Sequence, residues 1–209
     1  IKGTFNLLEA CRHEKVGQFI LFGGDAALGI WFYPQPIPLD ENHPRRAYPG
    51  YYAFSKVLEE TMTEQYGIQY GLPFTVLRAS WIFEGCDLLK HFSLLHNVRP
   101  AEKGHGFGDV DLEILRLVHS REERIPVLVD AKGNPLRRHI VHLDDVVQSF
   151  ERALENPSAL GQTFNISGPA PFDYRVAARY LSEKLMIPTV DLRCPDYHSF
   201  EINITRART

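Results

Sequence analysis

The chain has 209 residues, with 23 Lys and Arg against 26 Asp and Glu and a net charge of -3. That balance gives no electrostatic reason to expect nucleic acid or an anionic membrane as a partner. The length suffices for one substantial core or a core plus a small lobe, the 44% hydrophobic and 23% charged residues are those expected of an ordinary soluble globular protein, and no apolar run approaches the ~18 residues of a membrane span.

In chain order, residues 2–14 predict a helix, because Phe5, Leu8 and Cys11 recur at three-residue spacing. Residues 18–22 are a short apolar run of strand formers, stopped by Gly23 and Gly24. The stretch Gly23-Gly24-Asp25-Ala26-Ala27-Leu28-Gly29 follows a strand, as a phosphate loop should. It then runs into Ile30-Trp31-Phe32-Tyr33-Pro34, which does not open the helix that a pyrophosphate needs. No other stretch supplies a dinucleotide fingerprint. Residues 30–49 carry Pro34, Pro36, Pro38, Pro44 and Pro49 and predict a surface loop near a site.

Residues 50–70 predict a long helix, 73–78 a strand, and 79–86 the loop after it. A helix at 88–97, an irregular insertion at 98–108 and a helix at 111–120 follow. Residues 125–129 and 136–141 predict strands, with a tight turn over Asp130-Ala131-Lys132-Gly133-Asn134 between them. Then come a helix at 143–155, opened by Asp144 and Asp145, a strand at 162–166, a helix at 174–186 and a last strand at 189–193. Helices alternating with buried strands imply an α/β fold with a parallel sheet and ligands at its carboxyl edge. The cysteines Cys11, Cys86 and Cys194 are distant and odd in number; they predict free thiols in a reducing compartment and no metal site.

The chemistry centres on Tyr51-Tyr52-Ala53-Phe54-Ser55-Lys56. Tyr52 and Lys56 are four residues apart and share one helix face. An ammonium beside a phenol favours the phenolate, which then exchanges a proton with a substrate hydroxyl.

Several segments together resemble the NAD-dependent epimerase/dehydratase family of extended short-chain dehydrogenases/reductases. Gly3-Thr4-Phe5-Asn6-Leu7-Leu8-Glu9-Ala10-Cys11 resembles the helix before the family's fourth strand. Pro38-Leu39-Asp40-Glu41 and Tyr52-Ala53-Phe54-Ser55-Lys56 look like its P-x-x-E and Y-x-x-S-K passages. Tyr70-Gly71-Leu72-Pro73-Phe74-Thr75-Val76-Leu77-Arg78 is similar to its Y-G-L-P-x-T-x-L-R strand. Arg138-His139-Ile140-Val141-His142-Leu143-Asp144-Asp145-Val146 is similar to its R-x-x-V-H-V-x-D-V element, and Gly161-Gln162-Thr163-Phe164-Asn165-Ile166 to a later strand.

The resemblance implies a Rossmann-like doubly wound parallel sheet, incomplete because the N-terminal βαβ units are missing, with a small C-terminal α/β substrate lobe. Residues 1–85 would be the C-terminal half of the NAD(P)-binding domain, and 86–209 mainly the substrate lobe, with 136–166 returning to the sheet. It implies a longer cytoplasmic protein, NAD or NADP as cofactor, a sugar or nucleotide-sugar substrate, and a homodimer through helices 2–14 and 50–70. By resemblance Tyr52 is the general acid/base and Lys56 its ribose-binding partner. Gly23, Gly24, Ala79, Ser80 and Trp81 line the cofactor, and Arg138 clamps a substrate phosphate. His142 and Asp145 are expected to be structural, the first packed under the sheet and the second near a helix start.

The chain departs from the family on the substrate side. Gly24 stands where a catalytic Ser or Thr belongs, so a substrate oxygen loses a hydrogen-bond partner. Asp25 follows it and is a candidate substitute, as catalytic and substrate-binding residue. Leu28 replaces a tyrosine and Trp81 an asparagine. The alternative expectation is a non-catalytic, cofactor-binding relative.

Overall fold

The structure, a computed structural model, describes residues 1–98 and 111–209. Helix α1 (Lys2–His13) leads to strand β1 (Phe19–Gly24), and a short 3-10 turn at Asp25–Leu28 carries the chain off the strand's end. Helix α2 (Tyr51–Tyr70) follows the proline-rich loop. It stops at Gly71, whose φ of 65° is a left-handed conformation that glycine adopts without a Cβ clash. Strand β2 (Phe74–Ala79), strand β3 (Trp81–Phe83), helix α3 (Asp87–His91) and helix α4 (Leu94–Asn97) come next. Helix α5 (Leu112–His119), strand β4 (Ile125–Val129), strand β5 (Arg137–Arg138), strand β6 (Ile140–His142) and helix α6 (Leu143–Ala153) follow. The chain closes with strand β7 (Gln162–Ile166), strand β8 (Phe172–Asp173), helix α7 (Tyr174–Leu185), strand β9 (Thr189–Arg193) and helix α8 (Thr205–Arg208).

The central sheet is parallel in the order β1-β2-β7, with Leu21 opposite Val76 and Leu77 opposite Phe164. Successive side chains of β2 point to opposite faces. Leu77 and Ala79 join Val146 and Ala153 of α6 and Ile166 of β7 in one apolar cluster. Arg78, between them, reaches Glu60 of α2 on the other face. A parallel sheet covered by helices on both sides is the Rossmann-like arrangement, and it explains why β2 is buried along nearly its whole length.

A second apolar cluster surrounds the parallel pair β4-β9, where Ile125 and Leu128 meet Ile114, Leu117, Ala178 and Leu192. It also takes in Ile30, Trp31 and Leu39. The proline-rich loop is therefore not simply a surface loop. Its apolar residues are pinned in this core, and its backbone pairs with residues 198–203.

Four other expectations need correction. The stretch after β2 is not all loop, because β3 pairs in parallel with β6. The helix expected at 88–97 is two short ones, broken where Ser93 begins α4 by accepting a bond from the His96 N–H. The strand expected at 136–141 is β5 and β6, separated at His139: β5 pairs with β8 and β6 with β3. His142 is not packed under the sheet; it is exposed, and its Nδ1 caps α6 by accepting from the Asp144 N–H. The turn at 130–134 forms, with Asp130 Oδ1 accepting from the N–H groups of Lys132 and Asn134. The expected insertion at 98–108 lies, apart from Val98, outside the described residues.

The three cysteines are free. Among the described residues no helix is long and apolar enough to cross a membrane. Helices α1 and α2 lie against each other and leave Phe5, Leu7, Phe54 and Ile68 exposed.

Candidate active site

The carboxyl ends of β1 and β2 open into a cavity of about 620 Å³. Parallel α/β sheets bind ligands at this edge, where strands end and the chain turns away. The cavity is lined by all of the residues singled out from the sequence: Gly23, Gly24, Asp25, Tyr52, Lys56, Ala79, Ser80, Trp81 and Arg138. The structure thus collects in one place groups spread over more than half of the chain.

Helix α2 sets Tyr52 in its first turn and Lys56 one turn later. Tyr52 is well exposed at 62%, and its hydroxyl borders the cavity. The Lys56 ammonium lies 5.9 Å from the Tyr52 ring centroid. It donates to the Phe22 carbonyl at 3.4 Å and to Glu59 Oε2 at 3.3 Å, so β1 itself fixes the lysine's position.

Gly24 faces the same chemistry. A Cβ built there would lie 3.7 Å from the Tyr52 hydroxyl and 3.9 Å from Lys56 Cδ. The position therefore points at the tyrosine, and only the missing side chain keeps it from contributing a hydroxyl. Gly23 is different: a Cβ there would come within 3.0 Å of Glu60 Oε1. Its small size lets β1 pass the buried Glu60–Arg78 pair.

Asp25 is 6% exposed. Burial pushes its carboxyl up to about 6, against the pull of the Arg138 charge, a bond from Ser80 and the Ala26 N–H. Its Oδ2 has no hydrogen-bond partner among the described residues. Arg138, 3% exposed, lies directly over the Trp81 ring and 4.8 Å from the centroid of Trp31. Burial draws its guanidinium down to about 10, and Tyr174 and Asp25 oppose that. Tyr48 also lines the cavity, but burial and the nearby Asp25 raise its phenol to about 12. It is a poor base at neutral pH.

Sequence reasoning missed Trp31, Tyr48 and Tyr197, which complete the wall. The run Ile30-Trp31-Phe32-Tyr33 was the available signal, since four apolar residues rarely sit together in a solvated loop. It also missed the Glu60–Arg78 pair, which holds β2 against α2 behind the site.

As to the nicotinamide cofactor that the resemblance implies, the residues present suit its nicotinamide-ribose end. They are a lysine fixed by a strand carbonyl, a tyrosine beside it, and small residues at both strand ends. No glycine-rich strand-to-helix turn among the described residues suits the pyrophosphate.

Comparison with known proteins finds the following similarities. Residues 1–84 match the family model described as the NAD dependent epimerase/dehydratase family. No curated protein matches the sequence. Among solved structures, a short-chain dehydrogenase/reductase superfamily protein from Agrobacterium tumefaciens with bound NAD superposes with a TM-score of 0.84 at 23% identity, over 100% of this chain and 65% of that one. The UDP-glucuronic acid 4-epimerase of Bacillus cereus, in complex with NAD, gives 0.69 at 17% identity, over 98% and 58%. The UDP-glucose 4-epimerase of Thermotoga maritima, with UDP-glucose, gives 0.66 at 21% identity, over 100% and 61%. The chain thus spans 58% to 65% of the length of these three solved chains. Residues 1–84 are thus similar to the NAD dependent epimerase/dehydratase family, and the described residues share the Rossmann-like fold of these solved structures.

Proposed function

We propose that the protein is an NAD(P)-dependent oxidoreductase or epimerase acting on a hydroxyl of a sugar-type substrate. The carrying observation is that Tyr52 and Lys56, one helical turn apart, line a single cavity at the carboxyl ends of β1 and β2, together with Asp25, Ser80 and Arg138. The nicotinamide, when bound, supplies a hydride acceptor at the carbon that bears the hydroxyl.

The chain's own residues do the rest. Tyr52 takes the hydroxyl proton, and Lys56 favours the resulting phenolate while holding the ribose. Asp25 stands in for the hydroxyl that Gly24 lacks, accepting a hydrogen bond from the substrate. Ala79, Ser80 and Trp81 bound the far side of the site, and Arg138 binds the substrate's anionic group. Residues 1–85 act as the cofactor half and residues 86–209 mainly as the substrate half.

Tyr52→Phe tests this reading. Loss of the acid/base group should lower nicotinamide-linked turnover about 10²-fold to 10⁴-fold, with ligand affinity nearly unchanged. Gly24 favours a second reading, a relative that binds its cofactor and has lost the chemistry. On that reading Tyr52→Phe leaves every measured property as it was.

A further inference from the structure

We propose that the substrate carries its own carboxylate, that this group sits on Arg138, and that the substrate is a small sugar acid and not a nucleotide sugar. This inference rests on the reading of Tyr52 and the cavity given above.

Three buried side-chain polar atoms have no hydrogen-bond partner among the described residues: Asp25 Oδ2, Trp31 Nε1 and Arg138 Nε. All three residues line the same cavity. Folded proteins pair nearly all buried polar groups, so three unpaired ones around one cavity point to a ligand. Their chemistry describes it. Two are N–H donors and call for an acceptor-rich group; the third is a carboxyl oxygen and calls for a hydroxyl. A hydroxy acid offers both.

Charge gives the same answer. The cavity wall holds two cations and one anion: Lys56, Arg138 and Asp25. Lys56 has its own carboxylate, Glu59, at 3.3 Å. Arg138 bonds the Tyr174 side chain but has no carboxylate within 4.0 Å among the described residues, so one desolvated positive charge lacks a contact counter-ion. A carboxylate monoanion balances it. A diphosphate would bring surplus negative charge beside Asp25. The Trp81 indole covers a guanidinium face, which leaves the N–H edge for a planar acceptor.

Size and strain add two independent observations. A cavity of about 620 Å³ is large enough to take a nicotinamide ring together with a single sugar ring. Trp31 holds a left-handed φ of 71°, rare for an aromatic residue, while its carbonyl accepts from the His198 N–H at 2.8 Å. Backbone strain of this kind concentrates at ligand sites.

Trp31 and Trp81 are the chain's two tryptophans, so fluorescence excited selectively at tryptophan reads this wall. The chain is titrated with glucuronate, glucose and UDP-glucose. Glucuronate should perturb the emission at a concentration roughly 10-fold or more below that for glucose, the gain of a charge-assisted bond. Arg138→Met should erase the difference, and Arg138→Lys should lose most of it, because an ammonium lacks the planar fork. Circular dichroism confirms that both variants stay folded; should Arg138→Met unfold, Arg138→Lys alone decides. Equal response to glucose and glucuronate, or a preference that survives loss of the guanidinium, overturns the carboxylate assignment. UDP-glucose saturating well below glucuronate overturns the small-substrate assignment and leaves the Tyr52 reading standing. Silence toward all three overturns the sugar-acid site, and the Tyr52→Phe assay then judges the broader reading by itself.

Discussion

Two arginines, Arg78 and Arg138, are each 3% exposed, and the fold treats them oppositely. Arg78 is bound bidentately to Glu60, its Nε donating to Oε1 at 3.0 Å and a terminal nitrogen to Oε2 at 2.7 Å. A third donor reaches Asn165 Oδ1 at 3.3 Å. Arg138 has aromatic faces for neighbours, an Nε without a partner, and a buried aspartate nearby that does not neutralise it at contact distance. A satisfied buried charge holds elements together. One without a counter-ion beside a cavity is where the proposed carboxylate would sit.

The contrast is open to direct attack. The largest expected effect on stability comes from Glu60→Gln, which leaves Arg78 buried and uncompensated. Thermal unfolding should show a loss of about 3–5 kcal/mol, or roughly 6–20 °C in Tm for a chain of this size. A change below about 1 kcal/mol would mean that the pair is replaceable and the distinction between the two arginines fails.

Next comes Asp25→Asn, which should act with the opposite sign. The native Asp25 carboxyl titrates at about 6 against an ordinary 3.8, so the folded state holds its proton more tightly than the unfolded one. Stability from this group is fully present below about pH 4 and is lost as pH rises through about 6, on the order of 3 kcal/mol. The amide removes that loss. Denaturant melts should find the variant about 1–3 kcal/mol more stable than the parent near pH 7.5 and equal to it near pH 4, while turnover falls. A pH-independent difference would sink the assignment.

The smallest effect is expected from Gly24→Ser. Its Cβ would meet only ordinary contacts at 3.7 Å and beyond, so the fold should tolerate it within about 0.5 kcal/mol. The added hydroxyl, aimed at Tyr52, should raise turnover about 10-fold. A fall in rate instead would show that Asp25 already fills the position.

What the sequence disclosed follows from the range of the interactions involved. Long amphipathic or apolar segments such as α1, α2, β2 and α7 were legible because their patterns are local. The Tyr52–Lys56 pair was legible for the same reason, being one turn of one helix. Strand β3 was not, nor was the break that splits the strand expected at 136–141 into β5 and β6. Two or three residues carry no periodicity, and those strands exist because Trp81 lies opposite Ile140 and Arg138 opposite Phe172. Arg138 was singled out by resemblance to a motif, yet nothing in its flanking residues announced two tryptophans from distant segments. Glu60 read as an ordinary polar helix residue, because its partner lies 18 positions away across the sheet.

The wall that carries Trp31 is laced to the end of the chain. The Leu39 N–H donates to the Glu201 carbonyl at 2.8 Å, and the Asn203 N–H returns a bond of the same length to the Leu39 carbonyl. Glu41 accepts from the Asn165 N–H at 2.9 Å, which fastens that lacing to β7 of the sheet. Residues 30–49 therefore cannot swing as a separate flap. Any breathing that lets a molecule in or out must carry the C-terminal segment with it, so a change near residue 202 would be felt as altered entry and release, far from the Tyr52 phenol proposed as the acid/base.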